Sequence, residues 1–422
     1  MAENADILFK VNDLATRWNF GDEKEPKIHR IHAYPAKFPA FITQKAVAVA
    51  REEGVDVRCV ADVFCGCGTT AFEARRMNLD FWGCDINPVA TLIASVKRSH
   101  HDTKALQEKY DRIRWRYPRV YKKVSVKGLP ARLNHWYSPV RKRQLKALLD
   151  AIREETEGDA THDFFLVAFS NILKPVSKWL TKSIKPQVDP RKKPDTALCA
   201  FEKQFKFMLK AVEESPVEEN TNSTIENVNL LECTVENPLA DVVVTSPPYV
   251  TSYEYADLHQ LSSLWLGWAA DYRDLRKGTI GSMYNAPAID REEVSLNAVG
   301  ANTVAALKNV DSGKAAASAR YFADMKRTVE KCSQILRPGG MVFFVIGDTE
   351  YKGVKVKNSI YLAQCLADAG FADIEMDKRQ ITGKILTPYR NSIGRFSRSS
   401  NAEKKIYAEE YVLMGRKPDG NA

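Results

Sequence analysis

A glycine-rich turn between two short apolar runs constrains the fold of this chain more than any other feature. Residues 60–70 read VADVFCGCGTT, in which an apolar strand ends in a Gly-x-Gly turn. A helical pattern over residues 71–77 and a second apolar run over residues 81–84 follow, and that run ends at Asp85. This order predicts the β-α-β unit of a nucleotide-binding α/β fold, because glycines let the backbone approach a ligand and the acid can accept from ribose hydroxyls.

The glycine turn departs from the full dinucleotide fingerprint. Only Gly-x-Gly is present, and Thr70 stands where Gly-x-Gly-x-x-Gly has its third glycine. A pyrophosphate ligand is therefore disfavoured, although this unit alone leaves a nicotinamide-dependent enzyme open.

A second motif follows another apolar run. Residues 241–244 read DVVV, and residues 245–249 read TSPPY. Two consecutive prolines fix their own φ and keep the preceding residue extended, so the loop is stiff and its carbonyls are free. The Ser246 hydroxyl and the Pro247 carbonyl can accept hydrogen bonds from a planar amine, and the Tyr249 ring offers a face for stacking. The alternative is a proline-rich turn that closes a buried strand.

Together these motifs resemble those of the amino-group DNA methyltransferases, which use S-adenosylmethionine. Residues 62–70 are similar to the cofactor loop of that family, and residues 246–249 are similar to its Ser/Asn/Asp-Pro-Pro-Tyr catalytic loop. Residues 32–39, HAYPAKFP, are similar to a further cofactor segment. The resemblance extends over roughly residues 28–100 and 225–415. It implies a Rossmann-like α/β fold, a mostly parallel sheet with helices on both faces.

The resemblance also implies the site residues and the reaction. The catalytic residues would be Ser246, Pro247, Pro248 and Tyr249. The cofactor would be S-adenosylmethionine, the product would be S-adenosylhomocysteine, and no metal would take part. Glu232 would contact the cofactor from the end of a third strand expected at residues 230–232. The full set of expected cofactor contacts is Tyr34, Lys37, Phe38, Pro39, Asp62, Phe64, Cys65, Gly66, Gly68, Thr69, Thr70, Asp85, Ile86, Asn87 and Glu232. A target base would leave the duplex and receive the methyl group directly.

The serine in the catalytic loop bears on which base is methylated. In the resembled family the Ser variant is most associated with cytosine-N4, which favours cytosine and leaves adenine-N6 as the alternative. The chain contains no Pro-Cys pair, so the thiolate mechanism of carbon-5 cytosine methylation has no candidate nucleophile.

The spacing of the motifs predicts an insertion. Between Asp85 and Ser246 lie 160 residues, whereas typical element and loop lengths require about 50 to 60. We therefore expect an N-terminal extension (1–27), a first catalytic half (28–100), an inserted basic helical region that is the candidate target-recognition domain (101–225), a second catalytic half (226–416) and a tail (417–422). The insertion would contain helices over 139–153 and 163–180 and return through a linker over 215–229.

Patterns in the second half predict further elements. They indicate helices over 253–268, 316–336 and 360–369, strands over 341–346 and 407–414, and a mobile loop over 271–315. Residues 347–349 should lie at the same sheet edge as the catalytic loop.

The distribution of charge indicates a polyanionic partner. Between Lys97 and Lys146 the chain carries 16 Lys and Arg against three acids, a net charge of +13, whereas the whole chain carries +9. Cations interleaved with aromatic rings are typical of nucleic-acid binding, and a solvated basic helix is the alternative. A proline-broken loop near residue 190 and a loop over 379–398 add further cations. The candidate contacts are Arg112, Arg114, Arg116, Arg119, Lys122, Lys123, Arg191, Lys192, Lys193, Arg390 and Arg395.

Double-stranded DNA is the partner that these observations favour. An RNA methyltransferase directed at an amine and a non-catalytic scaffold of the same fold remain open, as do a cognate restriction endonuclease and the oligomeric state.

No apolar run reaches membrane-spanning length, and residues 1–10 lack a signal-peptide pattern. Eight cysteines without Cys-x-x-Cys spacing indicate free thiols and no metal site. We therefore expect a cytoplasmic, nucleoid-associated protein of prokaryotic or phage type.

Overall fold

An eight-stranded sheet organises the chain, seen here in a computed structural model. The structure describes residues 10–12, 16–18, 24–35, 37, 39–216, 221–250, 254–282, 284, 295–380, 389–390, 404–405 and 409–420. The strands are β1 (Lys10–Asn12), β2 (Cys59–Asp62), β3 (Asp80–Cys84), β4 (Ser223–Glu226), β5 (Ala240–Thr245), β6 (Leu336–Ile346), β7 (Thr349–Tyr351), β8 (Val354–Val356), β9 (Ala372–Gln380), β10 (Tyr389–Arg390), β11 (Lys404–Lys405) and β12 (Glu409–Arg416).

Thirteen α-helices occur in the described part of the chain. They are α1 (Ala40–Glu52), α2 (Thr69–Arg76), α3 (Pro88–Arg98), α4 (Thr103–Lys123), α5 (Leu133–Trp136), α6 (Pro139–Thr156), α7 (His162–Val176), α8 (Ala197–Glu213), α9 (Tyr255–Leu258), α10 (Gln260–Leu266), α11 (Ala298–Lys308), α12 (Ser312–Ile335) and α13 (Asn358–Asp368). Short 3-10 helices cover Thr16–Trp18, Lys27–Arg30, Leu230–Glu232 and Tyr272–Arg276. Within the described ranges no helix is both long and apolar enough to cross a membrane.

The strand order of the main sheet is β1-β9-β12-β6-β5-β2-β3-β4. All neighbouring pairs are parallel except those of β12, which runs antiparallel to both β6 and β9. The chain moves from β2 outward through β3 to β4, then returns to place β5 on the other side of β2. The carboxyl ends of β2 and β5 therefore border the crevice at which open α/β sheets bind ligands.

Alternating apolar residues place helices on both faces of the sheet. Val242 and Val244 pack in one core cluster with α1 and α2, whereas Val243 between them packs in another with α12 and α13. Since side chains alternate along a strand, an unbroken apolar run such as β5 is buried on both faces. The mostly parallel, doubly covered sheet confirms the predicted Rossmann-like α/β fold.

The inserted helices α4 to α8 share one apolar core with α3 and α10. Helices α4 and α6 run antiparallel. Arg116 on α4 binds Glu154 and Glu155 near the end of α6, and Arg143 near the start of α6 donates to the carbonyls of Tyr121 and Lys122. The insertion therefore packs against the catalytic domain.

The structure corrects several expected boundaries. The predicted linker at 215–229 contains β4, which pairs with β3, so the chain rejoins the sheet at Ser223 and the insertion ends before residue 225. A half-buried edge strand such as Ser-Thr-Ile-Glu lacks the apolar run expected of a central strand. Residues 230–232 form a 3-10 helix and not the third strand. Helix α7 ends at Val176, four residues before the predicted end.

The prediction of a mobile loop over residues 271–315 was wrong in part. It contains the 3-10 helix Tyr272–Arg276, all of α11 and the start of α12. Asn297 and Asp311 cap the two α-helices by accepting from Gly300 N and Lys314 N. The alanine-rich α11 lacks the apolar periodicity that would have indicated a helix. The helix expected over 253–268 divides at His259 into α9 and α10.

A buried carboxylate joins the segment before α1 to α2. The Glu73 carboxylate accepts from His29 Nε2 (2.7 Å), Gln44 Nε2 (2.6 Å) and Arg76 Nη1 (3.0 Å). Burial opposes ionisation of Glu73, but the hydrogen bonds from His29 and Gln44 outweigh it, so its pKa is lowered. Burial lowers the pKa of His29 to about 4. A neutral His29 therefore donates to an ionised Glu73.

Glu73→Ala should lower the free energy of unfolding by about 3 kcal/mol, because the buried donor of His29 and the half-buried donor of Gln44 lose their acceptor at about 1–3 kcal/mol each. Urea unfolding followed by circular dichroism measures this. The control is Glu108→Ala at an exposed position of α4, where we expect a change within about 0.5 kcal/mol. Equal effects of the two substitutions would contradict the role of Glu73.

His29 should make the protein sensitive to acid. Because its pKa is lower in the folded state, the unfolded chain binds more protons, so the contribution of His29 is present above about pH 6.5 and is lost as the pH falls toward 4. His29→Gln keeps a donor for Glu73 and removes this titration. The free energy of unfolding of the variant should fall less steeply over that window, by up to about 1.4 kcal/mol per pH unit. Parallel slopes in urea titrations of both proteins would argue against it.

Candidate functional site

The ends of β2 and β5 are joined by Asp62. Its buried carboxylate accepts from Thr245 Oγ1 (2.6 Å), Thr70 Oγ1 (2.8 Å) and the Phe64 amide (3.1 Å). Burial raises its pKa to about 6, against the hydrogen bonds from Thr245 and Thr70. Asp62 and Thr70 therefore shape the loop from beneath, and neither lines the cavity above it.

The two glycines of the turn have different tasks. Both adopt positive φ, 47° at Gly66 and 72° at Gly68. A Cβ atom on Gly68 would lie 2.6 Å from Ala94 Cα, so the loop packs directly on α3 at this point. Gly66 lies in the cavity wall beside the Tyr34 ring. Only Gly66 leaves backbone open to a ligand.

Asp85 lies in the same wall at the end of β3. Its Oδ2 atom accepts from Gly66 N (2.9 Å), and its Oδ1 atom accepts from Asn87 N (2.8 Å). Burial raises its pKa to about 6. Each oxygen keeps a second lone pair, so the carboxylate can accept two hydroxyl groups without losing its backbone donors.

A cavity extends from the glycine loop to the catalytic loop. Its empty volume is about 1030 Å³, part of it open to solvent, against about 300–1,000 Å³ for typical ligand pockets. Predicted site residues that line it are Tyr34, Lys37, Phe64, Cys65, Gly66, Thr69, Asp85, Ile86, Asn87, Ser246 and Pro248. The ammonium of Lys37 is held by Glu25.

Ser246 presents a hydrogen-bond acceptor to this cavity. Its hydroxyl donates to the Val345 carbonyl on β6 at 3.0 Å, which engages its proton. The oxygen lone pairs remain for a donor in the cavity. Pro247 is buried and does not line the cavity, whereas Pro248 does.

Tyr249 lies outside the cavity wall. Its ring rests against Gly347, where an added Cβ would come within 3.0 Å of ring atom Cε2. Burial raises its pKa well above the ordinary value. Thr245 pairs with Phe344 in the parallel strands β5 and β6, so Gly347 follows β6 at the same edge as the catalytic loop, as predicted.

An aromatic stack separates the cavity from the insertion. Tyr34 stacks on His259 with ring centroids 5.0 Å apart and lies 6.3 Å from Tyr255. Asn87 Nδ2 lies 2.7 Å from His259 Nδ1. Because an amide nitrogen can only donate, Nδ1 accepts and the ring proton is on Nε2. Burial lowers the pKa of His259 to about 4, which keeps the ring neutral.

The remaining predicted cofactor residues lie elsewhere. Pro39 precedes α1 and does not line the cavity. Glu232, predicted on the third strand, lies in a 3-10 helix, where its carboxylate accepts from Asn229 Nδ2 at 3.0 Å, so it is not a wall residue. Phe38 lies outside the described residues. In the part of the chain that the structure covers, no three His, Cys, Asp or Glu side chains are grouped as a metal site would require.

Sequence reasoning missed half of the cavity wall. The missed residues are Val63, Cys67, Val228, Asn229, Leu230, Tyr255, Ala256, Leu275, Gly278, Thr279 and Ile280. Recognition of β4 would have indicated residues 228–230, because they follow its carboxyl end. Residues 275–280 lie in the segment that was predicted as a mobile loop, and they reach the cavity by packing: a Cβ on Gly278 would lie 3.0 Å from Ile86.

The predicted nucleic-acid contacts fall into three groups. Arg112, Arg114, Arg119, Lys122, Lys123, Arg191 and Lys193 are exposed. Arg116 binds Glu154 and Glu155, and Lys192 donates to the carbonyls of Lys174 and Trp179. Arg390 is in β10, and Arg395 lies outside the described residues. Arg379, at the start of the second predicted DNA loop, is instead buried in β9 and paired with Glu410.

Comparisons with known proteins agree with the motifs. The profile of a family described as DNA methylase matches residues 10–95. The Type II methyltransferase M.MvaI from Kocuria varians is similar over 437 aligned residues at 22% identity, covering 96% of each chain.

Two solved structures are also similar. The rRNA methyltransferase aviRa from Streptomyces viridochromogenes is 10% identical, with 91% of this chain and 88% of that chain covered and a TM-score of 0.30. A SAM-dependent methyltransferase from Methanosarcina mazei is 8% identical, with 88% and 98% covered and a TM-score of 0.30.

The profile covers the cofactor segment and the first β-α-β unit, and the curated relative aligns across the catalytic loop as well. Both comparisons agree with the motifs that surround the cavity, and in these parts the chain is similar to the amino-group DNA methyltransferases.

Proposed function

We propose that this chain transfers a methyl group from S-adenosylmethionine to the exocyclic N4 amine of cytosine in double-stranded DNA. The similarity to DNA methylases supports DNA methylation as the reaction. The observation that supports an amine as the target is the hydrogen-bond acceptor at Ser246. The relative named as a Type II methyltransferase supports a cognate restriction endonuclease as a further partner.

The catalytic loop offers acceptors to an incoming base. Ser246 has its proton engaged by the Val345 carbonyl, and Pro248 supplies no backbone N–H. An exocyclic amine has two N–H donors and fits such a site, whereas a carbonyl or ring nitrogen without hydrogen does not. A hydrogen bond to Ser246 would favour a pyramidal nitrogen whose lone pair is directed at the methyl carbon. Catalysis then rests on position and electrostatics.

The cavity suits S-adenosylmethionine. Asp85 would accept from the ribose hydroxyls, Gly66 allows close backbone approach, and Ile86 and Leu230 add apolar surface for the adenine. When bound, this cofactor supplies a methyl group on a cationic sulfur. Since no side chain becomes covalently attached to the base, the residues of the chain bind and orient the two reactants, and the proton that the methylated amine releases passes to solvent through the open part of the cavity.

The target base would be flipped from the duplex at a cost of about a few kcal/mol. The adenine-N6 amine fits the same acceptors, so the preference for cytosine rests on the serine of the catalytic loop.

The test is methylation of mixed-sequence duplex DNA by the purified protein with labelled S-adenosylmethionine, followed by digestion to nucleosides and mass spectrometry. We expect label in N4-methyldeoxycytidine. Label in N6-methyldeoxyadenosine would overturn the base assignment and retain the acceptor site. Label in RNA offered in parallel, and none in DNA, would overturn the DNA substrate.

Substitutions in the two halves of the cavity should affect different parameters, the rate of methyl transfer in one half and the affinity for the cofactor in the other. Ser246→Ala should lower kcat by roughly 10- to 100-fold with little change in the Kd of S-adenosylmethionine, because it removes about 1–3 kcal/mol of hydrogen bonding to the amine. Asp85→Asn should raise that Kd by a similar factor. Calorimetry gives the Kd, and single-turnover methylation gives the rate. Equal losses of both parameters in each variant would contradict the assigned roles.

A further inference from the structure

A second cavity lies at one end of the inserted helices. It is lined by Trp136, Ser138, Arg141, Val176, Lys178, Val188, Pro190, Lys192 and Pro194. Three of these residues are cationic and none is acidic. It shares no lining residue with the first cavity. Its chemistry is therefore that of an anion site.

The walls of this cavity are rigid. Lys178 N donates to the Trp136 carbonyl, and Asp189 N donates to the Lys178 carbonyl, both at 2.8 Å. The buried indoles of Trp136 and Trp179 stack with centroids 4.8 Å apart. Lys178 and Lys192 thus lie on a loop that these hydrogen bonds and the ring stacking hold against the helices.

The cations retain hydrogen-bonding capacity. Arg141 donates from Nη1 to Gln144 Oε1 and from Nη2 to the Pro194 carbonyl, and its buried Nε atom has no hydrogen-bond partner within the described residues. Lys192 donates to two carbonyls, which leaves one of its three N–H groups. The Lys178 side chain is exposed.

The nearby acids are occupied by other groups. Asp189 Oδ1 accepts from the Arg191 amide at 3.0 Å, and Asp195 pairs with Lys203 at 3.6 Å. Burial lowers the pKa of Lys192 to about 8, and the charge of Lys174 acts in the same direction, against smaller opposing effects of Asp189 and Asp195. A bound anion would stabilise this cluster of cations.

The antiparallel packing of α4 and α6 separates charge along the insertion. Glu154, Glu155 and Asp159 lie at one end. The second cavity lies at the opposite end, beside the start of α6, where Arg143 meets the end of α4. Lys122 and Lys123 are exposed at this end and add to its positive charge.

The basic end is on the same side as the catalytic site. Gln260, at the start of α10, accepts from Arg132 Nε (3.3 Å) and Trp136 Nε1 (2.9 Å). The preceding residue, His259, stacks on Tyr34 in the wall of the first cavity. The other end of α10 meets the acidic end of the insertion, where Arg153 Nη2 donates to the Leu266 carbonyl.

We propose that the second cavity binds a backbone phosphate of the DNA whose target base enters the first cavity. This inference rests on the proposed function. The guanidinium of Arg141 and the ammonium groups of Lys178 and Lys192 suit a phosphodiester, and Val188 and Pro190 suit the adjoining sugar. The exposed cations Arg112 and Arg114, midway along α4, are not part of this contact.

The test is fluorescence anisotropy of full-length protein with labelled duplex DNA over a range of salt concentrations. Lys178→Gln removes one exposed charge and should reduce the slope of log Kd against log salt by about 0.9, the value for one phosphate contact on B-DNA. It should also weaken binding several-fold. The control, Arg51→Gln, removes one exposed charge near the end of α1 and should leave the slope unchanged.

Arg141→Lys tests whether the planar guanidinium of Arg141 contacts the phosphate. It keeps the charge and should preserve the slope while weakening binding at every salt concentration. Thermal melting of each variant checks folding. An unchanged slope in Lys178→Gln, or an equal loss in Arg51→Gln, would overturn the proposal.

The nucleoside assay on the same wild-type preparation separates this proposal from the proposed function. If the wild type methylates DNA and Lys178→Gln binds duplex DNA with the same affinity and the same salt slope, the proposed phosphate site is wrong and the proposed function stands. If the wild type does not methylate DNA, the proposed function fails, and a slope that still depends on Lys178 would support the anion site alone. A slope that depends on Lys178 with structured RNA but not with duplex DNA would overturn the assignment to DNA.

Discussion

The buried carboxylate of Asp62 is the constraint on which the geometry of the catalytic domain depends. It ties the end of β2 to Thr245 at the end of β5, and it holds the start of α2 through Thr70. The residue after Thr245 is Ser246, which faces the cavity. One side chain therefore fixes the distance between the loop proposed for the cofactor and the loop proposed for the amine. Because its charge is buried, the three hydrogen bonds that it accepts are needed to keep it in place.

The elements that the sequence predicted well are those set by local backbone chemistry. Glycine allows positive φ and proline fixes its own φ without help from distant residues, so the positions of Gly66 and Ser246 in the cavity followed from their motifs. Residues 275–280 could not be predicted in this way, because they reach the cavity through contacts with a segment nearly 200 residues earlier. Tyr249 belongs to a motif, yet its ring position depends on Gly347 after β6.

Charge patterns along the chain were a weaker guide than their folded arrangement. Arg116 looked like a nucleic-acid contact in its basic neighbourhood, but antiparallel packing brings it to Glu154 and Glu155. The same packing collects Arg141 and Lys178, which are distant in sequence, into one cavity. Helix propensity and net charge are local quantities, whereas the direction of α4 relative to α6 is set by the shared apolar core.

The antiparallel strand β12 has a consequence for the order of assembly. It follows β9 in the chain but lies between β6 and β9, and β1 pairs with β9 on the far side. The sheet therefore remains in two parts until residues 409–416 have left the ribosome and inserted between them. Such long-range pairing makes folding slow and exposes strand edges to aggregation in the meantime. A nascent chain can form the β2-α2-β3 unit early, but it cannot complete its sheet before the last of these strands is made.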